Sequence, residues 1–173
     1  EDMVSMQLWC DGSRLVTLRR EPLQTPRATL AEIDGGEGPA DAGAIVTSLV
    51  EHMIARMSQS IIDMNDRIDK LEIADPDEDA EAMLAKIAAI RRNCLALKRH
   101  MSPQHEALER IAHDAPHWCV EHDRREIAQT IDRLRRYLDD LDISKESALV
   151  LQDDLRGRAA AHSERTSYLL TIV

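Results

Sequence analysis

Apolar residues recur along this chain with two different periods. Near the start, Val4, Met6, Leu8 and Cys10 alternate with Ser5, Gln7 and Trp9, the period of a β-strand. Asp11-Gly12 is a two-residue turn signal, and Leu15 to Leu18 supplies a return strand, so residues 3–20 predict a β-hairpin. An isolated hairpin is barely stable in water. This one is therefore expected to pack on helices, or to be the remnant of a larger sheet.

Further on, the period lengthens to that of helices. Thr25-Pro26 reads as an N-cap followed by proline at the first helical position, opening a short helix that ends near Asp34 at Gly35-Gly36. Gly38-Pro39 follows, and Asp41 caps a long amphipathic helix reaching about Ile73. Ile45, Leu49, Met53, Met57, Ile61, Met64, Ile68 and Leu71 fall on one face of it, in steps of three and four. Asp75-Pro76-Asp77-Glu78-Asp79 is an acidic turn that also places negative charge near the next helix N-terminus. That helix, about 79–101, is expected to bury Met83, Leu84, Ile87, Ile90, Cys94, Leu97 and Met101. Ser102-Pro103 predicts an interruption, then a short helix with Leu108 and Ile111 inward, ended by Ala115-Pro116.

The last helix, about 119–173, contains no proline and only one glycine, Gly157. At ~1.5 Å per residue it would span roughly 80 Å. Ile127, Ile131, Leu134, Leu138 and Leu141 give it a coiled-coil-like seam, which weakens through Ala148 and Leu155 to His162. Three segments result: 1–36 (hairpin and short helix), 37–118 (helical hairpin and helix–proline–helix) and 119–173 (stalk helix). The fold class is α+β, mostly α: a β-hairpin remnant with an antiparallel array of long helices, one of them very long.

Composition agrees. Aromatics are 2% and Phe is absent, so the core must be aliphatic, which suits helix seams better than a β-sandwich. A net charge of −10 repels nucleic-acid phosphates and attracts cations. Cys10, Cys94 and Cys119 are odd in number and widely spaced, which offers no disulfide framework and fits a reducing cytosol. The opening residues do not read as a signal peptide, and no apolar run approaches the ~20 residues of a membrane span. Yet Tyr168-Leu169-Leu170-Thr171-Ile172-Val173 turns apolar, as a soluble terminus can, or as a chain cut where a membrane helix begins.

The stretch Arg91-Arg92-Asn93-Cys94-Leu95-Ala96-Leu97-Lys98-Arg99-His100-Met101-Ser102-Pro103-Gln104-His105-Glu106-Ala107-Leu108-Glu109-Arg110 resembles the helix–Pro–helix segment of CorA/ZntB-superfamily divalent-cation transporters. There an Arg-rich helix runs into Leu-x-Pro-x-Arg-x-x-Leu; here Met101 stands for the Leu and His105 for the Arg. The end, Ser163 to Val173, resembles the entry into the family's first membrane helix. Leu8-Trp9 and Gly38-Pro39-Ala40-Asp41-Ala42-Gly43 resemble the zinc branch more than the magnesium branch. The resemblance covers nearly the whole chain in order. It implies a fragment of the cytoplasmic part of a bacterial inner-membrane transporter, itself soluble, not an enzyme. It also implies a homopentamer in the full-length protein, five copies of the long helix lining a funnel to the pore, and membrane attachment through C-terminal helices beyond this chain. Zn²⁺ or another divalent cation would be the transported or regulatory ion, with no tightly bound cofactor and no nucleic-acid partner.

Asp153, Gly157, Ala160, Glu164, Ser167 and Leu170 form one small, polar stripe on the last helix. By resemblance this stripe faces the pore, where symmetry would turn each carboxylate into a ring that concentrates hydrated cations and Leu170 into a ring that resists wetting. On residue pattern alone it also reads as a solvated helix face. His113, His117, Cys119 and His122 offer Zn²⁺ donors for a sensing role, but Ala115-Pro116 intervenes and the group equally reads as surface residues around a helix connection. The acidic turn lacks the glycine and ligand spacing of an EF-hand and reads as a solvated cap. The basic run Arg91-Arg92 with Lys98-Arg99-His100 is expected to pair with acids of neighbouring helices, since no stacking aromatics accompany it. No nucleophile–base set, P-loop or dinucleotide fingerprint is present. Two rival functions stand beside transport: a soluble coiled-coil interaction module, and a metal-responsive regulator using the His/Cys group.

Overall fold

The computed structural model describes the backbone of residues 6–74 and 79–171, and their side chains except at 162, 163 and 165–171. The elements are β1 (Met6–Cys10), β2 (Leu15–Arg19), α1 (Gln24–Asp34), α2 (Ala42–Glu72), α3 (Ala80–His113) and α4 (Glu121–Thr171). Contacts group them into two units, Glu1–Ser58 with Pro103–Arg135, and Gln59–Ser102 with Arg136–Val173. This division crosses α2, α3 and α4, whereas the segments read from sequence follow chain order.

In the first unit β1 and β2 pair antiparallel, with Met6 opposite Arg19 and Cys10 opposite Leu15. The connection is a four-residue loop, not the two-residue turn expected from Asp11-Gly12. The Asp11 side chain explains the difference: its Oδ1 accepts from the backbone N–H of both Ser13 and Arg14, each at 2.8 Å, which holds the wider loop closed. Gly12 has φ +92°, and a Cβ there would strike Trp118. Helix α1 starts one residue before the expected cap. Leu23 precedes it and makes no side-chain capping bond, so Thr25 and Pro26 sit inside the first turn. Its end is as expected, with Gly36 at φ +79°.

Helix α2 opens as the sequence indicates, the Ala44 N–H donating to Asp41 Oδ1 at 2.8 Å. Helix α4 opens on a side chain from within its own first turn. Asp123, 1% exposed, accepts from the Val120 N–H at 2.9 Å and lies against Gly43 of α2, where a Cβ would overlap its carboxylate. Val46, Leu49, Ile54, Leu108, Ile127, Ile131 and Leu134 are the buried apolar residues around these ends.

In the second unit, hydrogen bonds tie three helices to one another. Cys94 Sγ on α3 donates to Met64 Sδ on α2 at 3.3 Å. Ser144 on α4 donates to Asn65 Oδ1 on α2 at 2.6 Å. Arg91 on α3 donates to Gln152 Oε1 on α4 at 2.6 Å, and Lys98 meets Asp142 at 2.5 Å. Moving back along α3 from Lys98 to Arg91 moves forward along α4 from Asp142 to Gln152, so these two helices run antiparallel. The aliphatic core holds Ile61, Met64, Ile68 and Leu71 from α2, Met83, Ile87, Ile90, Cys94 and Met101 from α3, and Leu141, Ala148 and Leu155 from α4. The α2 stripe is nearly the expected one, but in the first unit Ile54 is buried where Met53 and Met57 are half-buried.

Pro103 does not interrupt α3, which runs unbroken from Ala80 to His113. Proline lacks the N–H that would bond the carbonyl four residues back, a loss of about 3 kcal/mol in an isolated helix. Met101 and Leu108, 0% and 5% exposed, anchor the helix on either side, and tertiary burial of this kind outweighs such a penalty.

Candidate ion-pathway face on helix α4

The fate of the sequence stripe on α4 depends on where the helix stops burying side chains. Leu141, Ser144, Ala148, Gln152 and Leu155 keep one face buried in steps of three and four, so the seam extends well past Leu141. Two of its members are polar, and each is satisfied: Ser144 by Asn65 and by the Asp140 carbonyl, Gln152 by Arg91. This polar pair was missed because Ser and Gln carry no hydrophobic signal, although their spacing places them in the stripe. From Arg156 to Ala161 every residue is exposed.

Asp153, Gly157, Ala160 and Glu164 are all exposed on α4. Nothing lies within 4 Å of the place a Cβ would occupy at Gly157. Asp153 and Glu164 have no side-chain partner among the described residues, whereas neighbouring Asp154 pairs with Arg158 at 2.7 Å. Asp153 and Glu164 are eleven positions apart, about 16 Å along a helix. Such carboxylates attract a hydrated cation but cannot share one as ligands. The Ser167 and Leu170 side chains lie outside the described residues.

The His/Cys group is not assembled. Among the described residues no three His, Cys, Asp or Glu side chains come together to hold a metal ion. His113 and His117 are exposed on either side of the α3–α4 connection, and His122 pairs with Glu126 at 3.2 Å. Cys119 is 2% exposed, and burial, then the neighbouring Asp123 charge, pushes its thiol above the usual range, away from the thiolate a metal needs. Burial raises the Cys94 thiol likewise. The intervening Pro116, where the sequence already placed a break, keeps the four off any common face. His113 instead joins Glu106, Glu109, Arg110 and Asp114 around an open groove at the end of α3.

The basic run divides by face. Arg91 and Lys98 reach α4 as described, and Arg92, Arg99 and His100 are exposed. The Lys98 bond, reinforced by its charge and that of Lys145, holds the Asp142 carboxyl below its ordinary range. Of the acidic turn, Asp75 to Glu78 lie outside the described residues; Asp79 accepts from the Glu81 N–H at 3.0 Å and so caps α3. Among the described residues no helix is long and apolar enough to cross a membrane.

Comparison with known proteins places this arrangement. Over its full length the chain is 30% identical to the divalent cation transporter CmaX of Pseudomonas aeruginosa, covering 52% of that protein. It is 27% identical to the zinc transport protein ZntB of Pectobacterium carotovorum, covering 53% of it. The chain thus spans about half the length of these relatives. A structure of full-length CmaX superposes with a TM-score of 0.89 over 99% of this chain and 53% of that one, at 30% identity. The crystal structure of the ZntB cytoplasmic domain from Vibrio parahaemolyticus has the same fold, with a TM-score of 0.81 at 12% identity over 92% of this chain and 62% of that one. Residues 1–173 match, from end to end, the family described as CorA-like Mg2+ transporter protein, and the chain belongs to that family.

Proposed function

We propose that this chain is the cytoplasmic part of a divalent-cation transporter, and that the Asp153–Gly157–Ala160–Glu164 face of α4 borders the ion path. The collinear match to a divalent cation transporter, in sequence and in fold, over essentially the whole chain is the observation that carries this reading. The α4 face supports it: two carboxylates without side-chain partners among the described residues, small residues between them, and open space beside Gly157. In a cyclic oligomer each carboxylate becomes a ring. Rings of partly solvated charge raise the local concentration of a divalent cation without stripping its water, and the small residues leave the path wide. Ser167 and Leu170 extend the same face in sequence toward the membrane. Zn²⁺ or a related divalent ion is the cargo, and its binding biases the tilt of the long helices between two states.

Uptake by the full-length protein in proteoliposomes, read with an ion-sensitive dye inside the vesicles, tests the proposal. Zn²⁺ or Mg²⁺ uptake is expected. Asp153→Asn with Glu164→Gln is expected to slow it roughly threefold at low ionic strength, with the difference fading as salt screens the rings. Vesicles that take up no divalent cation would refute the transport reading. Uptake that ignores the double substitution at every salt concentration would remove the α4 face from the path.

A further inference from the structure

The connection between α3 and α4 brings three parts of the first unit together: the hairpin loop, the start of α2 and the start of α4. Pro116 to Cys119 is a tight turn, closed by the Cys119 N–H donating to the Pro116 carbonyl at 2.9 Å. Trp118, in the middle of that turn, meets two other elements with two different groups. Its side chain covers Gly12 on the hairpin loop: a Cβ added there would lie 2.7 Å from the Trp118 Cβ and 2.9 Å from the ring. Its carbonyl oxygen faces Gly43 in the first turn of α2, 3.2 Å from where a Cβ would be. Two residues on, the Val120 N–H is taken by Asp123, which lies against the same Gly43. Glycine permits approaches this close, and both glycines face the same short piece of connecting chain.

The hairpin loop is tied within itself. Asp11 Oδ1 holds the Ser13 and Arg14 amides, the Asp11 N–H donates to the Arg14 carbonyl at 3.2 Å, and the Gly12 N–H lies 3.5 Å from Cys10 Sγ. Gly12 therefore leaves Trp118 only when the loop moves with it. On the other side of the turn, the start of α4 depends on the path of residues 118–120. Shifting Trp118 shifts the Val120 amide relative to the Asp123 carboxylate, and a hydrogen bond weakens steeply as its angle closes. We propose that Trp118 is a latch that couples the seat of the β-hairpin loop to the closure of the first turn of α4. With the loop seated on the ring the cap is closed; displacing the loop, or removing the ring, opens it. The coupling needs neither a cation nor a second copy, so it stands apart from the reading of the α4 face above.

Hydrogen exchange at the amides of Cys119, Val120 and Arg124, whose bonds close this end of α4, tests it in the 173-residue chain. Gly12→Ala is expected to speed exchange at all three by about tenfold, although none of their bonds involves position 12. Trp118→Ala should do the same, and the two changes together no more than either alone, because each undoes the same latch. Trp118→Ala, which adds no bulk, carries the test if Gly12→Ala does not fold. Gly36→Ala is the control. It imposes the same kind of backbone strain, at φ +79° against +92°, but meets nothing within 4 Å and should leave the three amides as they were. Coupling runs both ways, so Asp123→Ala should speed exchange of the Asp11 amide in the hairpin loop. Retained helicity by circular dichroism shows which variants fold. Exchange at the α4 amides that ignores Gly12→Ala or Trp118→Ala overturns the proposal, as does an equal response to Gly36→Ala. Effects of the two latch variants that simply multiply, or an Asp11 amide indifferent to Asp123→Ala, overturn it too.

Discussion

Two stretches of the same helix behave oppositely. Between Leu141 and Leu155, α4 buries a residue at every third or fourth position; from Arg156 to Ala161 it buries none. Both stretches are helical, and the helix continues to Thr171. Local preference is sufficient for the second stretch, which is rich in Ala and Arg, both strong helix formers. Tertiary packing dominates the first. A helix face without neighbours in its own chain is free to meet something else, and the contrast marks where α4 changes from building the fold to presenting a surface.

The contrast can be broken most forcefully at Leu141, which is 1% exposed. Leu141→Ala should cost about 3–4 kcal/mol in urea unfolding, and Leu155→Ala less, since Leu155 lies at the end of the seam and the site can relax into solvent. A similar loss at both positions would mean that the packed stretch runs further than Leu155. Next in size is Gln152→Leu, which leaves the Arg91 guanidinium without its acceptor; a loss of about 1–2 kcal/mol by thermal denaturation is expected. Lys98→Met should cost at most about 1 kcal/mol at neutral pH, because both partners of the Lys98–Asp142 pair are more than a third exposed. Its sign with pH is fixed. Asp142 has a folded value below the ordinary 3.8, so its contribution is full above that value and disappears as pH falls through the lower folded one. Wild type and Lys98→Met should therefore converge in stability in strong acid, and a gap that persists there would exclude the ion pair as its source. The smallest effect has the opposite sign. Gly157→Ala meets open space and should stabilise the helix by up to about 1 kcal/mol, seen as a gain in helicity.

The features legible in the sequence are those with a period. The strands, the Asp41 cap, the α2 stripe and the α3 stripe all emerge near their expected positions; in the helices burial follows spacing, whereas in the hairpin Leu8, Val16 and Leu18 are exposed and only the strand positions were legible. The misread features are those where one residue was given a fixed meaning. Pro103 signalled a break, but the apolar residues on both sides of it kept α3 whole. Asp11-Gly12 signalled a two-residue turn, but the Asp11 carboxylate stabilised a longer loop. The α4 face was legible as a pattern, and its exposure follows from the end of the seam at Leu155. The polar bonds of Ser144 and Gln152 were not, because hydrogen-bond partners far apart in the chain leave no mark on local spacing.

The Asp123 carboxylate, wedged between the first turn of α4 and Gly43 of α2, ties two positions eighty residues apart into one inheritance unit. A methyl group at position 43 has no room while an aspartate occupies 123, and a smaller residue at 123 would leave the Val120 amide without its acceptor. Either change alone is expected to cost stability, about 1 kcal/mol for the lost cap, so the two positions are coupled. A library that randomised both codons together should recover combinations that no single-site scan could reach.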